Sequence, residues 1–95
     1  MKYNGFFKKI KKRKNKIRYK CPCCDYYTLG AKGYCEICPV CYWEDDPTQR
    51  EDPNLDDSAN KISLNQARKN YIAYGVYDMK FKKHVRPPKE EEKAE

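Results

Sequence analysis

The sequence predicts a small α+β, metal-stapled domain: a zinc-ribbon-like hairpin carrying two C-x-x-C knuckles, followed by one C-terminal helix. Three observations predict this class. The chain has only 95 residues, of which 39% are hydrophobic and 37% charged, so its apolar core must be thin. Six cysteines can supply a disulfide or a structural metal site of the kind that stabilises small domains. One segment, which begins at Ser63, has the periodicity and the caps of a helix.

The charge pattern divides the chain into parts. Residues 1–20 carry ten basic side chains and no acid, residues 21–60 carry nine acids and two bases, and residues 61–95 carry nine bases and five acids, for a net charge of +7. We therefore predict a basic N-terminal arm (1–20), a cysteine-rich zinc-binding domain (21–88) and a disordered Lys/Glu tail (89–95).

The apolar runs of the sequence are short. None is long enough to span a membrane, and no apolar h-region follows the basic N-terminus. A spanning helix and a secretory signal are therefore not expected, and the sequence predicts a cytoplasmic protein. In that reducing compartment, clustered cysteines hold metal more often than they form disulfides.

The N-terminal half is expected to contain the hairpin. Residues 17–20 alternate apolar and basic side chains, as in a strand that enters the domain. Residues 26–29 then predict one strand of the hairpin, residues 30–33 a turn with two glycines, and residues 34–37 the returning strand. The acidic stretch after Trp43 is interrupted by prolines, so we expect an irregular loop there.

The C-terminal half is expected to contain one helix. Ser63 and Gln66 match a capping box, and Gly75 stands where a helix commonly ends. The apolar face of this helix is formed by Leu64, Ala67, Tyr71 and Tyr74. Further core candidates are Tyr26, Leu29, Ile37, Val40 and Trp43. Beyond the helix, alternating apolar residues at 77, 79 and 81 predict a short strand.

The strongest motif is a pair of C-x-x-C knuckles. Cys21 pairs with Cys24 and Cys38 with Cys41, and 13 residues separate the two pairs. A proline follows the first cysteine of each pair and fixes the same backbone angle in both knuckles. Two knuckles complete a tetrahedral four-sulfur shell, which zinc accepts at a metal–sulfur distance of about 2.3 Å. The sequence thus predicts one structural Zn²⁺, with iron in the same shell as the alternative.

Two cysteines and the single histidine stand outside this set. Cys23 and Cys35 are interpreted as small packing residues, with a disulfide between them, a second metal or a redox thiol as alternatives. Cys35 and Cys38 also have C-x-x-C spacing, so Cys35 can replace a neighbour in the ligand set. His84 lies 43 positions beyond the last cysteine and is interpreted as a surface or capping residue, with a Cys₃His site as the alternative.

Further short motifs accompany the cysteines. In order, they are C-P-C-C at 21–24, residues 26–29, I-C-P-V-C at 37–41, W-E-D-D at 43–46, D-P at 52–53, A-N at 59–60, S-L at 63–64, A-R at 67–68, N-Y at 70–71, Gly75 and H-V-R-P-P at 84–88. This series resembles the bacterial cysteine-rich CPCC domain family over residues 21–88. The resemblance implies a small zinc-binding module without an established activity.

The resemblance also bears on single residues. It implies the same four metal ligands, includes Cys23 in the shared motif, and makes Cys35 an addition in this chain. Asp25 and Asp57-Ser58 stand where glycines are expected in relatives, so the loops there are expected to differ. The basic arm lies outside the resemblance.

Nucleic-acid binding through the basic arm is the favoured function. Positive charges would contact phosphates and release counterions, and aromatic residues of the arm would stack on the bases of RNA or single-stranded DNA. The contacts are assigned to Lys8, Lys9, Lys11, Lys12, Arg13, Lys14, Lys16 and Arg18. A solvated tail is the other interpretation of the same charges.

The alternative function is a protein-interaction or adaptor module. An acidic loop beside Trp43 would form its surface, with Glu44, Asp45 and Asp46 as contacts for an unknown protein partner. A membrane-surface helix in the arm is less favoured because few apolar residues would anchor it. We expect no enzymatic activity, because four ligands close a metal site and the sequence has no evident base–nucleophile pair.

Overall fold

The structure is a computed structural model that describes residues 18–93. In chain order its elements are β1 (Tyr19–Lys20), β2 (Tyr27–Leu29), α1 (Pro47–Glu51), α2 (Leu64–Tyr74), a 3₁₀ helix (Met79–His84) and α3 (Glu90–Lys93). The predicted small α+β class is confirmed. Most of the basic arm lies outside the described residues, as do residues 94–95.

Two short antiparallel pairings each enclose one cysteine knuckle. β1 pairs with β2, with Tyr19 opposite Leu29 and an irregular register between the two residues of β1. Farther along the chain, Ile37 forms an isolated antiparallel bridge with Glu44. Each knuckle is therefore the connection within its own hairpin.

The prediction of a hairpin between residues 26–29 and 34–37 is wrong. Cys35 has a left-handed backbone with φ 59°, which interrupts an extended strand. Its N–H donates to the carbonyl of Asp45 at 2.9 Å, so this segment pairs with the chain beyond the second knuckle. β2 pairs instead with β1, the strand that precedes the first knuckle.

The acidic stretch after Trp43 contains a helix that the sequence analysis missed. Asp46 caps α1, because its carboxylate accepts the N–H of Thr48 at 2.9 Å. Pro47 occupies the first turn, where its fixed φ suits a helix and its missing N–H has no cost. The prolines indicated a broken loop, whereas Asp-Pro here marks the start of a helix.

The long helix α2 is confirmed with its caps. The Ser63 hydroxyl accepts the N–H of Gln66 at 3.0 Å, and Gly75 ends the helix with φ 78°. Leu64 and Ala67 are buried as predicted. Tyr74 is 52% exposed, so its assignment to the core is wrong, since it lies in the last turn where the helix leaves the core.

The chain beyond α2 also differs from the prediction. A 3₁₀ helix replaces the short strand, because the Asp78 carboxylate accepts the N–H of Lys80 and starts a helical turn. Residues 90–93 form α3 where a disordered tail was expected. The Arg86 guanidinium forms two hydrogen bonds of 2.9 Å with the Glu92 carboxylate, which holds this short helix in place.

The core lies between the two hairpins and α2. Its buried apolar residues are Leu29, Val40, Trp43, Leu64, Ala67, Val76 and Tyr77, together with five of the six cysteines. Ile37 is 45% exposed, so its assignment to the core is wrong. Trp43 is fully buried, and its ring packs edge-on against Tyr77 at a centroid distance of 5.6 Å.

The Arg86–Glu92 pair makes stability depend on pH. The hydrogen bonds from Arg86 lower the pKa of Glu92, so the pair stabilises the fold above the ordinary glutamate pKa and is lost as pH falls through the lowered value. We expect Glu92→Gln to reduce the free energy of unfolding at pH 7 by about 1 kcal/mol. Urea unfolding of the wild type and the variant at pH 7 measures this difference. Glu91→Gln, at an exposed neighbour, is the control, and an equal effect of both variants would contradict the role of Glu92.

Candidate metal centre

The first knuckle is a tight turn closed by two backbone hydrogen bonds. The Asp25 N–H donates to the Cys21 carbonyl at 2.8 Å, and the Cys21 N–H donates to the Tyr26 carbonyl at 2.9 Å. Asp25 is in the left-handed region with φ 68°. This turn points Cys21 and Cys24 toward the core.

The second knuckle repeats the same turn. The Tyr42 N–H donates to the Cys38 carbonyl at 2.8 Å, and the Cys38 N–H donates to the Trp43 carbonyl at 3.0 Å. Tyr42 has φ 73°, at the position that matches Asp25 in the first knuckle. The matched C-P-x-C sequences thus fold into matched turns.

The four predicted ligands converge in the core. The Sγ atoms of Cys21, Cys24, Cys38 and Cys41 all lie within 4.8 Å of one another, and all four side chains are buried. Two pairs cross between the knuckles, with 3.6 Å between the Sγ atoms of Cys21 and Cys41 and 3.8 Å between those of Cys24 and Cys38. All six cysteines of the chain are free. Four buried sulfurs in one place could hold a metal ion.

Cys38 is the sulfur that receives the most hydrogen bonds from outside the cluster. The Thr28 hydroxyl lies 3.1 Å from its Sγ, and the Val40 N–H donates to the same atom at 3.4 Å. Within the cluster, hydrogen bonding with Cys21 is the main cause that holds the pKa of Cys38 far below its ordinary value. Thiol pKa values at Cys24 and Cys41 are raised, again mainly through Cys21.

This uneven protonation has a chemical consequence. A metal ion binds thiolates, so the cluster must release its remaining protons as the metal enters. The deprotonated form of Cys38 is the one that its neighbours already favour. Metal binding should therefore strengthen as pH rises.

The C-terminal half of the chain holds both knuckles by their carbonyl groups. On α2, the Arg68 guanidinium donates to the Pro22 carbonyl at 2.8 Å. The backbone N–H of Arg86 donates to the Pro39 carbonyl at 3.2 Å. These contacts fix each turn from outside and link the cysteine cluster to helix α2 and to residues 84–88.

A comparison with protein-family models agrees with this arrangement. Residues 19–92 match the model of the family described as Cysteine-rich CPCC. The chain belongs to this family. A search of curated proteins found no match to it. The family match extends beyond residues 21–88, and it includes β1 and the Glu92 carboxylate that binds Arg86.

The remaining two cysteines of this CPCC domain are not among the four converging sulfurs. Cys23 is 6% exposed and packs in the core beside the cluster. Cys35 is exposed, and desolvation and the carboxylate of Glu44 raise the pKa of its thiol, which disfavours a reactive thiolate. The alternative ligand set with Cys35 is not the one that converges.

His84 is also not among the four converging residues, so the Cys₃His alternative finds no support. It lies on the surface, where its ring stacks on Tyr42 at a centroid distance of 5.3 Å. The interpretation of His84 as a surface residue is the one that the structure matches.

Three of the four residues predicted to bind a protein partner are buried in the fold. Trp43 is fully buried and cannot contact a partner. The carboxylate of Asp45 is buried and pairs with Arg50 at 2.6 Å. Asp46 caps α1 and accepts hydrogen bonds from Ser58 and Ala59. The assignment of these residues to an exposed acidic surface is wrong; Glu44, the fourth, is half-buried.

The residues predicted to bind nucleic acid lie mostly outside the described part of the chain. The residues outside it are Lys8, Lys9, Lys11, Lys12, Arg13, Lys14 and Lys16. Arg18 is described and is half-buried, and its Nε has no hydrogen-bond partner within residues 18–93. In the same range, no helix has the length and apolarity needed to cross a membrane.

Two buried polar residues that support the second knuckle were missed. The Gln49 amide donates to the carbonyls of Leu55, Asn60 and Ile62, which ties the loop after α1 together. The Asn60 amide accepts the Glu44 N–H at 3.1 Å and donates to the Glu44 carbonyl at 2.9 Å. Asn60 thereby holds the strand that leaves the second knuckle. The A-N motif at 59–60 was the available signal.

The left-handed backbone at Asp25 predicts an unusual order of stability. A residue with a Cβ is strained there, whereas glycine is not. We expect Asp25→Gly to exceed Asp25→Ala in free energy of unfolding by about 1 kcal/mol. Urea unfolding measures both variants. Asp57 is exposed and does not have a positive φ, so there the glycine variant should not be more stable than the alanine variant. At Asp25, a higher free energy of unfolding for alanine than for glycine would contradict backbone strain.

Proposed function

We propose that this chain is a non-catalytic module whose fold is held by one structural zinc ion bound to Cys21, Cys24, Cys38 and Cys41. One observation carries the proposal: four buried sulfurs, two from each knuckle, meet within 4.8 Å. A tetrahedral Zn–S shell with bonds of about 2.3 Å has sulfur–sulfur edges of about 3.8 Å. The two pairs that cross between the knuckles, at 3.6 and 3.8 Å between Sγ atoms, fit such edges.

The surroundings of the sulfurs also support zinc. Zinc has no redox chemistry of its own and prefers closed four-coordinate shells of this type in structural sites. Four thiolates around a divalent ion leave a net negative charge in the core, which neighbouring donors must stabilise. Thr28 and the Val40 N–H already point at the Cys38 sulfur. Iron in the same shell is the alternative, and its colour distinguishes it.

A structural role follows from the closed shell. Four protein ligands leave no position for a substrate, so we propose no metal-based catalysis. The exposed Cys35 has a raised thiol pKa, so we propose no thiol-based catalysis either. The ion would supply cohesion to a domain with a small apolar core, where structural zinc contributes roughly 10–16 kcal/mol in comparable peptides.

Trp43 gives a direct test of this proposal, because it is the only tryptophan of the chain and is fully buried beside the cluster. Protein purified under reducing conditions should contain one zinc per chain by elemental analysis. A strong chelator should unfold the domain and shift the tryptophan emission to longer wavelength, and added zinc should reverse the shift.

Cysteine variants supply the matched control. Cys41→Ser removes a proposed ligand and should abolish the stoichiometric zinc and the native emission. Cys35→Ser changes an exposed cysteine outside the cluster and should leave both unchanged. Metal-free protein with native emission, or equal effects of the two variants, would contradict the proposal.

Nucleic-acid binding through the basic arm is the second proposed function. The supporting observation is the run of ten bases without an acid in residues 1–20. Such a run neutralises phosphates and releases counterions. Two of the nine acids in residues 21–60, Asp45 and Asp46, compete little for these bases because they are buried and hydrogen-bonded internally. For the alternative function as a protein-binding adaptor, only the exposed acids around α1 remain as candidate contacts, because Trp43 lies in the core.

A salt titration tests the arm. If about six arm charges contact phosphate, log K for single-stranded DNA should fall with log salt at a slope of roughly −4. In the full chain, changing Lys8, Lys9, Lys11 and Lys12 to Gln should make the slope less steep by roughly 3. Fluorescence anisotropy of a labelled oligonucleotide gives both slopes. Identical slopes for the two proteins would contradict binding through the arm.

A further inference from the structure

A second basic segment lies within the folded domain, far along the chain from the arm. Residues 79–89 contain five Lys or Arg residues and no acid. The 3₁₀ helix Met79–His84 presents exposed Lys80, Lys82 and Lys83. The Lys82 ammonium donates to the Tyr74 carbonyl at 2.6 Å, whereas Lys83 has no partner among the described residues.

Three rings lie together beside these lysines. Tyr42 is 4.8 Å from Phe81 and 5.3 Å from His84 between ring centroids, and Phe81 is 6.4 Å from His84. His84 is exposed, and the other two rings are half-buried. Phe81 stacks on the buried Tyr77 at 5.6 Å, so the cluster has a rigid base in the core. We call Tyr42, Phe81, His84, Lys80 and Lys83 the ring–lysine surface.

The backbone of Tyr42 indicates that its ring is not needed for the turn. With φ 73°, Tyr42 adopts a left-handed conformation that is rare for a bulky residue and costs energy. The other knuckle makes the same turn with Asp25, which has no ring. The strained position places an aromatic ring next to a basic helix, where a smaller residue would satisfy the knuckle equally well.

We propose that the ring–lysine surface binds single-stranded nucleic acid, with bases stacked on its rings and phosphates beside its ammonium groups. Rigid aromatic rings within a basic surface are the combination that such binding uses. Lys80 lies 5.3 Å over the Phe81 ring, so a positive charge lies next to the ring cluster, whose exposed member is His84. Paired bases cannot stack on the rings, so duplex DNA gains only the charge contacts. This inference rests on the proposed nucleic-acid function and adds a base-contacting site to it.

Three labelled probes separate the contribution of base stacking from that of phosphate contacts in an anisotropy assay of the full zinc-loaded chain. They are a twelve-residue oligothymidylate, an abasic strand of equal length, and a twelve-base-pair duplex. The wild type should bind the oligothymidylate at least fivefold more tightly than the abasic strand, because base stacking contributes about that much or more per base. Equal affinity for these two probes would overturn the ring–lysine surface.

Ring variants test the stacking. Tyr42→Asn removes the ring while keeping a residue that tolerates a left-handed backbone, and His84→Ala removes an exposed ring that the fold does not bury. Each should weaken oligothymidylate binding roughly five- to fiftyfold and leave abasic binding unchanged. Tyr74→Ala, at an exposed ring on α2, is the matched control and should change neither affinity. Native tryptophan emission verifies the fold, and His84→Ala keeps the test valid if Tyr42→Asn unfolds.

Charge variants separate this surface from the arm. Changing Lys80 and Lys83 together to Gln should weaken all three probes and make the salt slope less steep by roughly 1.4 on the single strand, whereas Lys69→Gln on α2 should have little effect. The arm variant should lose affinity for all probes but keep its preference for bases over the abasic strand. If the arm variant lost that preference while the ring variants bound all probes like the wild type, the proposal for the ring–lysine surface would be contradicted. Binding through the arm would then still be supported. No binding by the wild type at low salt would overturn both.

Discussion

The convergence of four buried cysteine sulfurs in the core is the constraint on which the other parts of this domain depend. The apolar residues that remain are few, and the strands that carry the knuckles are two or three residues long. Strands of that length are not stable alone in water. A metal bound to both knuckles would join two weak hairpins into one unit, and its binding energy would become folding energy.

The rest of the chain supports this cluster from outside. Arg68 on α2 binds the carbonyl of the first knuckle, and the Arg86 backbone and the Tyr77 backbone bind carbonyls of the second knuckle. Gln49 and Asn60 hold the loop after α1 against Glu44, in the segment that leaves the second knuckle. Two of the acids that look like a binding surface in the sequence, Asp45 and Asp46, are part of this support. Asp46 caps α1 and the Asp45 carboxylate pairs with Arg50, whereas Glu51, Asp52, Asp56 and Asp57 are exposed.

The sequence was informative where structure follows from local spacing. The C-x-x-C repeats predicted which sulfurs come together, and Ser63 and Gly75 predicted both ends of α2, because each signal acts within a few residues. The strand pairing was missed because it depends on the left-handed backbone at Cys35, a residue type that does not indicate such a conformation. The burial of Asp45 was missed because it depends on Arg50, and the role of Thr28 because its sulfur partner is ten residues away.

The central claim is that these four sulfurs form a complete zinc shell. X-ray absorption at the zinc edge, recorded on reduced protein as purified, tests it most directly because it reports the atoms bound to zinc. The account predicts four sulfur neighbours at about 2.3 Å and no nitrogen or oxygen neighbour. Three sulfurs with one lighter neighbour would contradict a closed structural site. Such a result would indicate an open coordination position, and with it a different function for the domain.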